Sequence, residues 1–296
     1  MLRLVLPKGS LERATLELFA AADLAVDRPS EVAYQGRIDD PRVESVSILR
    51  PQEIPLYVEQ GLFDLGVTGR DWVAETEADV VSLGRLSYSK ATSRPIRLVL
   101  AVGRDGEVTS VEDLARLAQR RPIRVSTEYP NLTRKWFEER RIPAEIAFSY
   151  GATEAKVGAI ADAVVEITET GAALRAAGLV VIAELLESHT ELIANKDSFS
   201  DPQKAHAMRQ IYTLLDGALS ARGKVLVKLN VSAADLKSVI SVLPSMRSPT
   251  VSELFGGAGY AVETVVPKSE INILIPALKD AGATDILELS LAKIVP

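Results

Sequence analysis

The feature that most constrains the fold is a strand–loop–helix unit that recurs from the N-terminus to about residue 190. Short apolar runs, of which residues 43–49 and 163–167 are examples, pass through a polar turn into segments with apolar residues at helical spacing. This alternation is typical of α/β sheets. The units fall into two loosely similar halves, which predicts two lobes with a cleft between them. The polar segment 87–95 ends in proline, and we expect the chain to cross between the lobes there.

One unit carries the strongest chemical signal. Residues 161–174 read ADAVVEITETGAAL, an apolar strand that turns through Thr168 and Thr170 into a helix. The first N–H groups of a helix lack internal partners and the helix dipole is positive there, so this turn suits a phosphate. Gly171 would let the backbone approach the ligand, and the threonine hydroxyls are uncharged donors. The two glutamates of the stretch would repel phosphate, but carboxylates bind sugar hydroxyls or Mg²⁺. The pattern indicates a phosphorylated sugar, and an ordinary strand-to-helix loop is the alternative.

Basic side chains follow two other strands. Lys8 comes directly after the strand at residues 2–6 and its proline, and Arg50 comes directly after the strand at residues 43–49. In open α/β sheets, ligands bind outside the carboxyl ends of the strands. The planar guanidinium of arginine suits a polyphosphate. For Lys8, a solvated surface lysine is the alternative.

Two more turns lie between strands and helices. Thr68 and Gly69 form a second Thr-Gly turn, whose layout is similar to that of the stretch ending at Gly171. Tyr129 precedes Pro130 at the start of a helix that should run to about residue 140. Both turns therefore belong to the same set of strand-to-helix loops, and Tyr129 places an aromatic ring at the lip of one of them.

The pattern changes after Gly223. Strands and helices follow in the order βαββαβ over residues 224–294, which predicts a ferredoxin-like module. Residues 256–259 form its hairpin turn. Ser269 should cap the second helix, and Pro276 should kink it. Because the module contains no catalytic constellation, we interpret it as a small-molecule sensor or an oligomerisation surface.

Composition narrows the classes of function. The 296 residues carry a net charge of −6, which argues against a broad nucleic-acid surface, and contain no cysteine, which excludes disulfides and thiolate chemistry. No stretch approaches ~18 uninterrupted apolar residues, and the N-terminal sequence lacks the features of a signal peptide. We expect a cytoplasmic protein that binds neither nucleic acid nor a membrane. His189 and His206 have no partner pattern and are interpreted as structural or surface residues.

With these pieces in order, the chain resembles the long form of the ATP phosphoribosyltransferase family over essentially its whole length. The stretches that carry the resemblance are residues 6–9 (LPKG), 49–51 (LRP), 64–71 (DLGVTGRD), 127–132 (TEYPNL), 151–154 (GATE), 161–174 and 248–250 (SPT). The loop at residues 166–174 is specific in combination with the Tyr-Pro-Asn turn, whereas either motif alone would be weak.

The resemblance implies an α/β fold with a bilobal, periplasmic-binding-protein-like catalytic core and a C-terminal ferredoxin-like βαββαβ domain. The implied boundaries are residues 1–93 for lobe I, completed by 187–222, then 94–186 for lobe II and 223–296 for the regulatory domain. The family joins N1 of the adenine of ATP to C1 of phosphoribosyl pyrophosphate, releases pyrophosphate and opens histidine biosynthesis. It also implies a homo-oligomer, from dimer to hexamer, that L-histidine inhibits.

Individual roles follow from the resemblance as well. Lys8 and Arg50 would meet pyrophosphate or triphosphate oxygens as catalytic groups, and the catalytic Glu166 would face the ribose hydroxyls or the Mg²⁺ cofactor. Ser248 and Thr250 would belong to the histidine site. The cradle for the ribose 5-phosphate would consist of Thr168, Thr170, Gly171 and Ala172. The whole substrate-binding set would be Gly9, Asp64, Thr68, Gly69, Tyr129, Glu154, Thr168, Glu169, Thr170, Gly171, Ala172, Ala173 and Leu174.

The sequence departs from the family pattern at two positions. The family usually has arginine where this chain has Ser10, and often threonine where this chain has Ala173. The second departure removes one expected phosphate donor.

The residue types suit this chemistry, because no covalent nucleophile is evident and none is needed. Catalysis would rest on orientation and on neutralising the leaving pyrophosphate, with Mg²⁺ as the natural partner of its oxygens. Two other classes remain open at this point. One is a bilobal small-molecule binding protein, and the other is an allosteric lyase of the prephenate dehydratase type, which has no use for a phosphate cradle.

Overall fold

The computed structural model describes residues 1–88, 96–244 and 248–295. The chain divides into two compact units, Met1–Ala20 with Leu24–Tyr212, and Ala21–Asp23 with Thr213–Pro296. The lobe crossing expected at residues 87–95 lies, from residue 89 onward, outside the described residues. Within the described part of the chain, no helix combines the length and apolar character needed to cross a bilayer.

The first unit alternates strands and helices as predicted. Its strands are β1 Leu2–Pro7, β2 Val26–Asp27, β3 Gln35–Ile38, β4 Val43–Leu49, β5 Leu65–Gly69, β6 Val81–Leu86, β7 Ile96–Gly103, β8 Ile123–Thr127, β9 Ala144–Phe148, β10 Ala163–Thr168, β11 Leu179–Ser188 and β12 Thr190–Ala194. Its helices are α1 Glu12–Ala21, α2 Ile54–Glu59, α3 Arg70–Thr76, α4 Val111–Ala118, α5 Pro130–Glu139, α6 Ala172–Ala176, α7 Lys196–Ser200 and the start of α8 Pro202–Ala221.

These strands form two sheets, which are the two lobes of the predicted bilobal core. The first sheet has the order β2-β3-β4-β1-β5-β12-β6, with β4, β1 and β5 parallel. The second has the order β11-β7-β10-β8-β9, with β10, β8 and β9 parallel. Strand β12, predicted to return to the first lobe, pairs with β5 and β6 there. The carboxyl ends of the parallel strands carry the loops in which the sequence predicted the site.

Strand β10 shows why an unbroken apolar run forms a central strand. It lies between β7 and β8, so both of its edges are paired. Ala163 and Val165 pack into one hydrophobic cluster with Phe137. Val164 packs into another cluster with Leu174 on the opposite face. A strand buried on both faces has no position that favours a polar side chain, and the polar residues therefore begin where the strand ends.

The second unit has the predicted ferredoxin-like order. Its elements are β13 Lys224–Val231, α9 Leu236–Val242, β14 Thr250–Glu253, β15 Tyr260–Pro267, α10 Ile271–Asp280 and β16 Thr284–Ser290. The sheet is antiparallel with the order β14-β15-β13-β16. Val225, Val227 and Leu229 alternate along β13 and pack against Val239 of α9 and Leu274 of α10, so one face of the sheet is covered by helices.

Some local predictions were wrong. The sequence after residues 150–154 predicts another helix, but only a 3₁₀ turn, Thr153–Lys156, forms there. Helix α10 is preceded by a 3₁₀ turn rather than capped by Ser269, whereas the kink expected at Pro276 stays a prediction, since the helix runs on through that residue to Asp280. Strand β16 ends at Ser290, whereas the sequence pattern extended it to residue 294. These errors concern element ends and short segments, which depend on contacts more than on propensity.

Strand β11 had no counterpart in the sequence analysis. Its sequence, LVVIAELLES, begins with β-branched residues that favour a strand and continues with AELLE, whose residues favour a helix. The strand conformation is determined by pairing with β7, which extends from Leu179 opposite Gly103 to Ser188 opposite Ile96. Tertiary context here overrides propensity.

Candidate active site

The predicted phosphate loop connects β10 to α6. Gly171 has a φ of +72°, a conformation that side chains with a Cβ atom rarely adopt. Its N–H donates to Thr168 Oγ1 over 2.9 Å, and the N–H of Ala172 donates to Thr170 Oγ1 over 3.3 Å. The guanidinium of Arg175 donates to the carbonyl oxygen of Thr170 over 2.9 Å. The loop is thus already ordered by its own threonines, whose hydroxyl hydrogens are left to donate elsewhere.

Glu166 lies on β10 beside two other carboxylates. Burial raises the pKa of Glu166, and the charges of Glu128 and Glu154 act in the same direction, while a hydrogen bond from the Ile167 N–H at 3.1 Å opposes them. Glu154 and Glu166 were both predicted for this side of the cleft, and the structure brings them into electrostatic contact. Glu128 precedes Tyr129 in the sequence and was not singled out.

These carboxylates do not form a ready metal site. Among residues 1–88, 96–244 and 248–295, no three histidine, cysteine, aspartate or glutamate side chains are grouped so that they could hold a metal ion. Mg²⁺ in phosphate-binding enzymes is commonly held by one or two carboxylates together with substrate phosphate oxygens. Glu166 fits that arrangement as a single protein ligand, with the remaining ligands supplied by substrate and water.

On the first sheet, the residues predicted as cationic groups lie at neighbouring strand ends. The N–H of Lys8 donates to the carbonyl oxygen of Leu49 over 2.6 Å, which ties the end of β1 to the end of β4 just before Arg50. Gly9 has a φ of +89°, and its N–H donates to Glu12 Oε2 over 3.3 Å in the first turn of α1. The structure therefore brings Lys8, Gly9 and Arg50 to one edge of the sheet, at the carboxyl ends of the parallel strands β1 and β4.

Tyr129 joins the two lobes. Its hydroxyl donates to Asp71 Oδ2 over 2.8 Å, and its ring stacks on that of Trp72, with the ring centroids 4.4 Å apart. Ser188 Oγ donates to Asp71 Oδ1 over 2.5 Å. Burial raises the pKa of Asp71, although both hydrogen bonds oppose the shift. Burial also raises the pKa of Tyr129, and Asp71 adds to that effect, so the phenol is a stable donor.

A cavity of about 210 Å³ lies between the two lobes. From the predicted site it includes Gly69, Tyr129, Thr168 and Glu169, and also Ser10, the position of the departure from the family pattern. Residues that the sequence analysis did not assign to the site complete the wall: Leu11, Asp71, Trp72, Ile96, Ile167, Ser188, His189 and Thr190.

One residue of the cavity wall, His189, is interpreted from the sequence as a structural or surface residue. The structure places it in the cavity wall, where its Nε2 lies 2.8 Å from Glu191 Oε1. The signal that could have found it is its position at the junction of β11 and β12, where the chain passes from one sheet to the other.

The structure contradicts the prediction that Asp64 belongs to the substrate-binding set. It precedes β5, so it lies at the amino end of that strand, whereas Gly69 and the cavity lie at the carboxyl end. Its carboxylate is fully buried and accepts hydrogen bonds from Ser198 Oγ at 2.6 Å, Lys204 Nζ at 2.8 Å and the N–H of Arg3 at 2.8 Å. Because these donors occupy it, the carboxylate is structural and does not face a substrate in the cleft.

In two other residues predicted to contact substrate, the side chain is buried and engaged elsewhere in the protein. The side chain of Leu174 is 2% exposed and packs among Val99, Ala101 and Leu179, so only its main chain can face a ligand. The hydroxyl of Thr68 is buried and donates to the carbonyl oxygen of Pro51 over 2.8 Å. Ala172 and Ala173 are exposed in the first turn of α6.

The second unit contains a cavity of about 440 Å³ of its own. Ser248 and Thr250, the two residues expected in a regulatory site, lie in its wall. Lys224 and Glu263 contribute opposite charges to the same wall. Hydroxyls, a cation and a carboxylate around one cavity match the needs of a free amino acid, which carries both a carboxylate and an ammonium group.

Comparison with known proteins decides the family. The family model for ATP phosphoribosyltransferase (HisG) matches residues 50–217, more than half of the chain, and the model for the HisG C-terminal domain matches residues 221–293. The chain belongs to the ATP phosphoribosyltransferase family. It is 45% identical over 295 residues to the ATP phosphoribosyltransferase of Pelotomaculum thermopropionicum, and the alignment covers 100% of this chain and 99% of that protein. It is 46% identical over 296 residues to the ATP phosphoribosyltransferase of Nitratidesulfovibrio vulgaris, covering 100% and 98%.

A solved structure agrees in fold. The ATP phosphoribosyl transferase (HisG:HisZ) complex from Thermotoga maritima aligns with a TM-score of 0.61 at 22% identity, over 73% of this chain and 98% of that chain. The expected family and enzyme class, a phosphoribosyltransferase of histidine biosynthesis, are confirmed by the family membership. An ATP phosphoribosyltransferase is neither a solute-binding protein nor a lyase, so both alternatives are set aside.

Proposed function

We propose that this ATP phosphoribosyltransferase joins N1 of the adenine of ATP to C1 of phosphoribosyl pyrophosphate in the cavity between the two lobes. The observation that carries the proposal is that Thr168 and Glu169 of the phosphate loop share one cavity with Gly69 and Ser10 of the other lobe. A reaction between two phosphorylated substrates requires such a cleft, because each lobe can hold one of them and align the reacting atoms.

Phosphoribosyl pyrophosphate is assigned to the loop after β10. The 5-phosphate would accept hydrogen bonds from the Thr168 and Thr170 hydroxyls and from backbone N–H groups near Ala172, while Gly171 keeps that approach free of a side chain. Glu166 would accept hydrogen bonds from the ribose hydroxyls. Its partial burial supports this role, since a carboxylate with few water contacts gains more from such bonds.

Lys8 and Arg50 are assigned to the pyrophosphate and triphosphate oxygens. In the reaction the lone pair of adenine N1 forms the new bond to C1, and the bond from C1 to the pyrophosphate oxygen breaks with its electron pair on the leaving group. Cations fixed at the ends of β1 and β4 stabilise the charge that develops there. Because Ser10 stands where the family usually has arginine, this edge has one cation fewer. Lys8 and Arg50 must therefore stabilise more of the negative charge on the leaving pyrophosphate.

Mg²⁺ is part of the proposal, with Glu166 as its protein ligand. When bound, the ion would neutralise pyrophosphate oxygens and so stabilise the leaving group. The chain itself supplies a single carboxylate for it, which predicts weak metal binding without phosphoribosyl pyrophosphate and tight binding with it.

Feedback inhibition by L-histidine is proposed for the second unit. Ser248 and Thr250 would bind the amino acid together with Lys224 and Glu263 in the same cavity wall. Inhibition requires histidine to prefer one state of the assembly over another, since equal affinity for both would shift nothing. We expect that assembly to be a homo-oligomer.

The experiment is to incubate the purified protein with ATP, phosphoribosyl pyrophosphate and Mg²⁺ and to follow the absorbance of the N1-substituted adenine. Product should form only when all three are present. Binding of phosphoribosyl pyrophosphate measured by calorimetry, with and without Mg²⁺, tests the metal assignment separately. Absence of product at micromolar enzyme would count against the proposal.

A further inference from the structure

Tyr34 lies outside the short motifs quoted in the sequence analysis, yet its ring contacts Lys8. The Lys8 ammonium nitrogen is 3.7 Å from the centroid of the Tyr34 ring. The tyrosine is 56% exposed, so this contact is not a by-product of core packing. An ammonium group over an aromatic face is attracted by the negative charge of that face.

The backbone holds Tyr34 at the strand end that carries the cations. Its carbonyl oxygen accepts from the N–H of Ile48 over 2.9 Å, two residues before Arg50. The N–H of Lys8 donates to Leu49, one residue before Arg50. Three groups are therefore anchored to the last residues of β4: the tyrosine on one side, the lysine on the other and the arginine at the end.

A partly buried ion pair fixes the loop that carries the tyrosine. Glu12 Oε1 accepts from Arg28 NH1 over 2.9 Å, and the side chains are 21% and 13% exposed. The same guanidinium donates to the carbonyl oxygen of Ala33 over 3.5 Å, directly before Tyr34. The other oxygen of Glu12 accepts from Gly9, directly after Lys8. One carboxylate thus ties the neighbours of both residues together.

We propose that Tyr34 is a positioning residue, whose ring holds the Lys8 ammonium beside Arg50 so that both cations meet the same polyphosphate. The proposal rests on the function proposed above. The Lys8 ammonium, first through hydrogen bonding to the phenol and then through its charge, lowers the pKa of Tyr34, and Arg50 acts in the same direction. A four-carbon side chain in water samples many conformations, and a fixed ring reduces the entropy lost when Lys8 binds phosphate.

The test uses the full chain and inorganic pyrophosphate as the probe, measured by calorimetry. Tyr34→Leu should weaken binding about two- to five-fold, the range that corresponds to an exposed cation–aromatic contact. Tyr34→Phe keeps the ring but loses the phenol oxygen, so it should weaken binding less than about two-fold. Val32→Ala, at a 76% exposed position of the same loop, is the matched control and should leave binding unchanged. In steady-state assays, Tyr34→Leu should raise the KM for phosphoribosyl pyrophosphate more than it lowers kcat.

A double-mutant cycle shows whether the tyrosine acts through the lysine. In a Lys8→Met background, Tyr34→Leu should cause no further loss of pyrophosphate binding. An equal loss in both backgrounds, or a phenylalanine variant as weak as the leucine variant, would overturn the positioning role. If the wild type binds pyrophosphate and makes product but Tyr34→Leu equals it, the inference alone fails. If the wild type does neither, the function proposed for this site fails with it.

Discussion

The hydroxyl of Tyr129 donates a hydrogen bond to Asp71 Oδ2 over 2.8 Å, and this bond joins the lobe built on β8 to the lobe built on β5. Both side chains are buried. The contact is supported nearby by Glu75, whose carboxylate accepts the N–H groups of Asn131 and Leu132 at 2.9 Å each, in the first turn of α5. A helix of one lobe is thus capped by a carboxylate of the other, which fixes the cleft between them.

Removing the Tyr129 hydroxyl should destabilise the first unit. Tyr129→Phe leaves the buried Asp71 carboxylate with one hydroxyl donor fewer, and we expect a loss of about 1–3 kcal/mol in the free energy of unfolding. Urea unfolding measures it. Tyr150→Phe is the control, because Tyr150 is 94% exposed and its loss should stay within about 0.5 kcal/mol. Similar losses in the two variants would show that the bond between the lobes contributes nothing specific.

The phosphate loop can be tested with a pair of glycines that share the same backbone conformation. Gly171 and Gly178 have φ values of +72° and +73°, so alanine at either should cost about 1–2 kcal/mol in stability. At Gly171 a Cβ would also lie 2.9 Å from Arg175 NH1, whereas at Gly178 it would meet open space. The Arg175 guanidinium can move aside, but the Cβ would still stand where the backbone approaches the phosphate. Gly171→Ala should weaken phosphoribosyl pyrophosphate binding at least ten-fold (about 1.4 kcal/mol), while Gly178→Ala should not. Calorimetry decides, and equal affinities would remove the loop from the binding site.

Asp64 predicts a pH dependence of stability. Burial by itself would raise the pKa of Asp64, but the hydrogen bonds from Lys204, Ser198 and Arg3 outweigh it and hold the pKa well below the ordinary range. A carboxyl group whose pKa is lowered by folding stabilises the protein above its unfolded pKa of about 3.9, and that contribution is lost as the pH falls towards the folded value.

Asp64→Asn should accordingly cost about 3 kcal/mol at pH 7, since it leaves charged partners without their carboxylate. The difference from the wild type should shrink by about 1 kcal/mol between pH 7 and pH 3. Urea midpoints across that range give both values. Asp79→Asn is the control, because Asp79 is 70% exposed in its pair with Lys196 and such pairs contribute little. A pH-independent difference would show that charge is not what Asp64 contributes.

The regulatory proposal predicts variants that separate inhibition from catalysis. Thr250→Val keeps the shape of the side chain but removes its hydroxyl from the wall of the cavity in the second unit. The histidine concentration for half-inhibition should rise at least ten-fold in this variant (about 1.4 kcal/mol), with the uninhibited rate unchanged. Ser252→Ala, at an exposed position of the same strand outside that wall, should be inhibited normally. Unchanged inhibition in both variants would exclude this cavity as the histidine site.

The phosphate loop was predictable because it depends on neighbours in the sequence. The apolar run of β10, the turn at Gly171 and the start of α6 lie within a dozen residues, and local propensity and periodicity act at that range. The same holds for Lys8 and Arg50, whose shared edge follows from their places after parallel strands. The alternation along β13 likewise predicted the first strand of the ferredoxin-like unit.

Tertiary structure decided what depends on distant partners. Ser188 and Asp71 are 117 positions apart, so no local pattern shows that the Asp71 carboxylate joins the lobes. Asp64 and Lys204 are 140 positions apart, so no local pattern shows that the Asp64 carboxylate already has a charged partner. The second half of strand β11 has helix-forming residues, and pairing with β7 carries the strand through them. By itself the sequence determined the family, the order of elements and the loop that suits phosphate. The tertiary structure decided which charged groups are free to bind substrate, because burial and hydrogen-bond partners are properties of the folded chain.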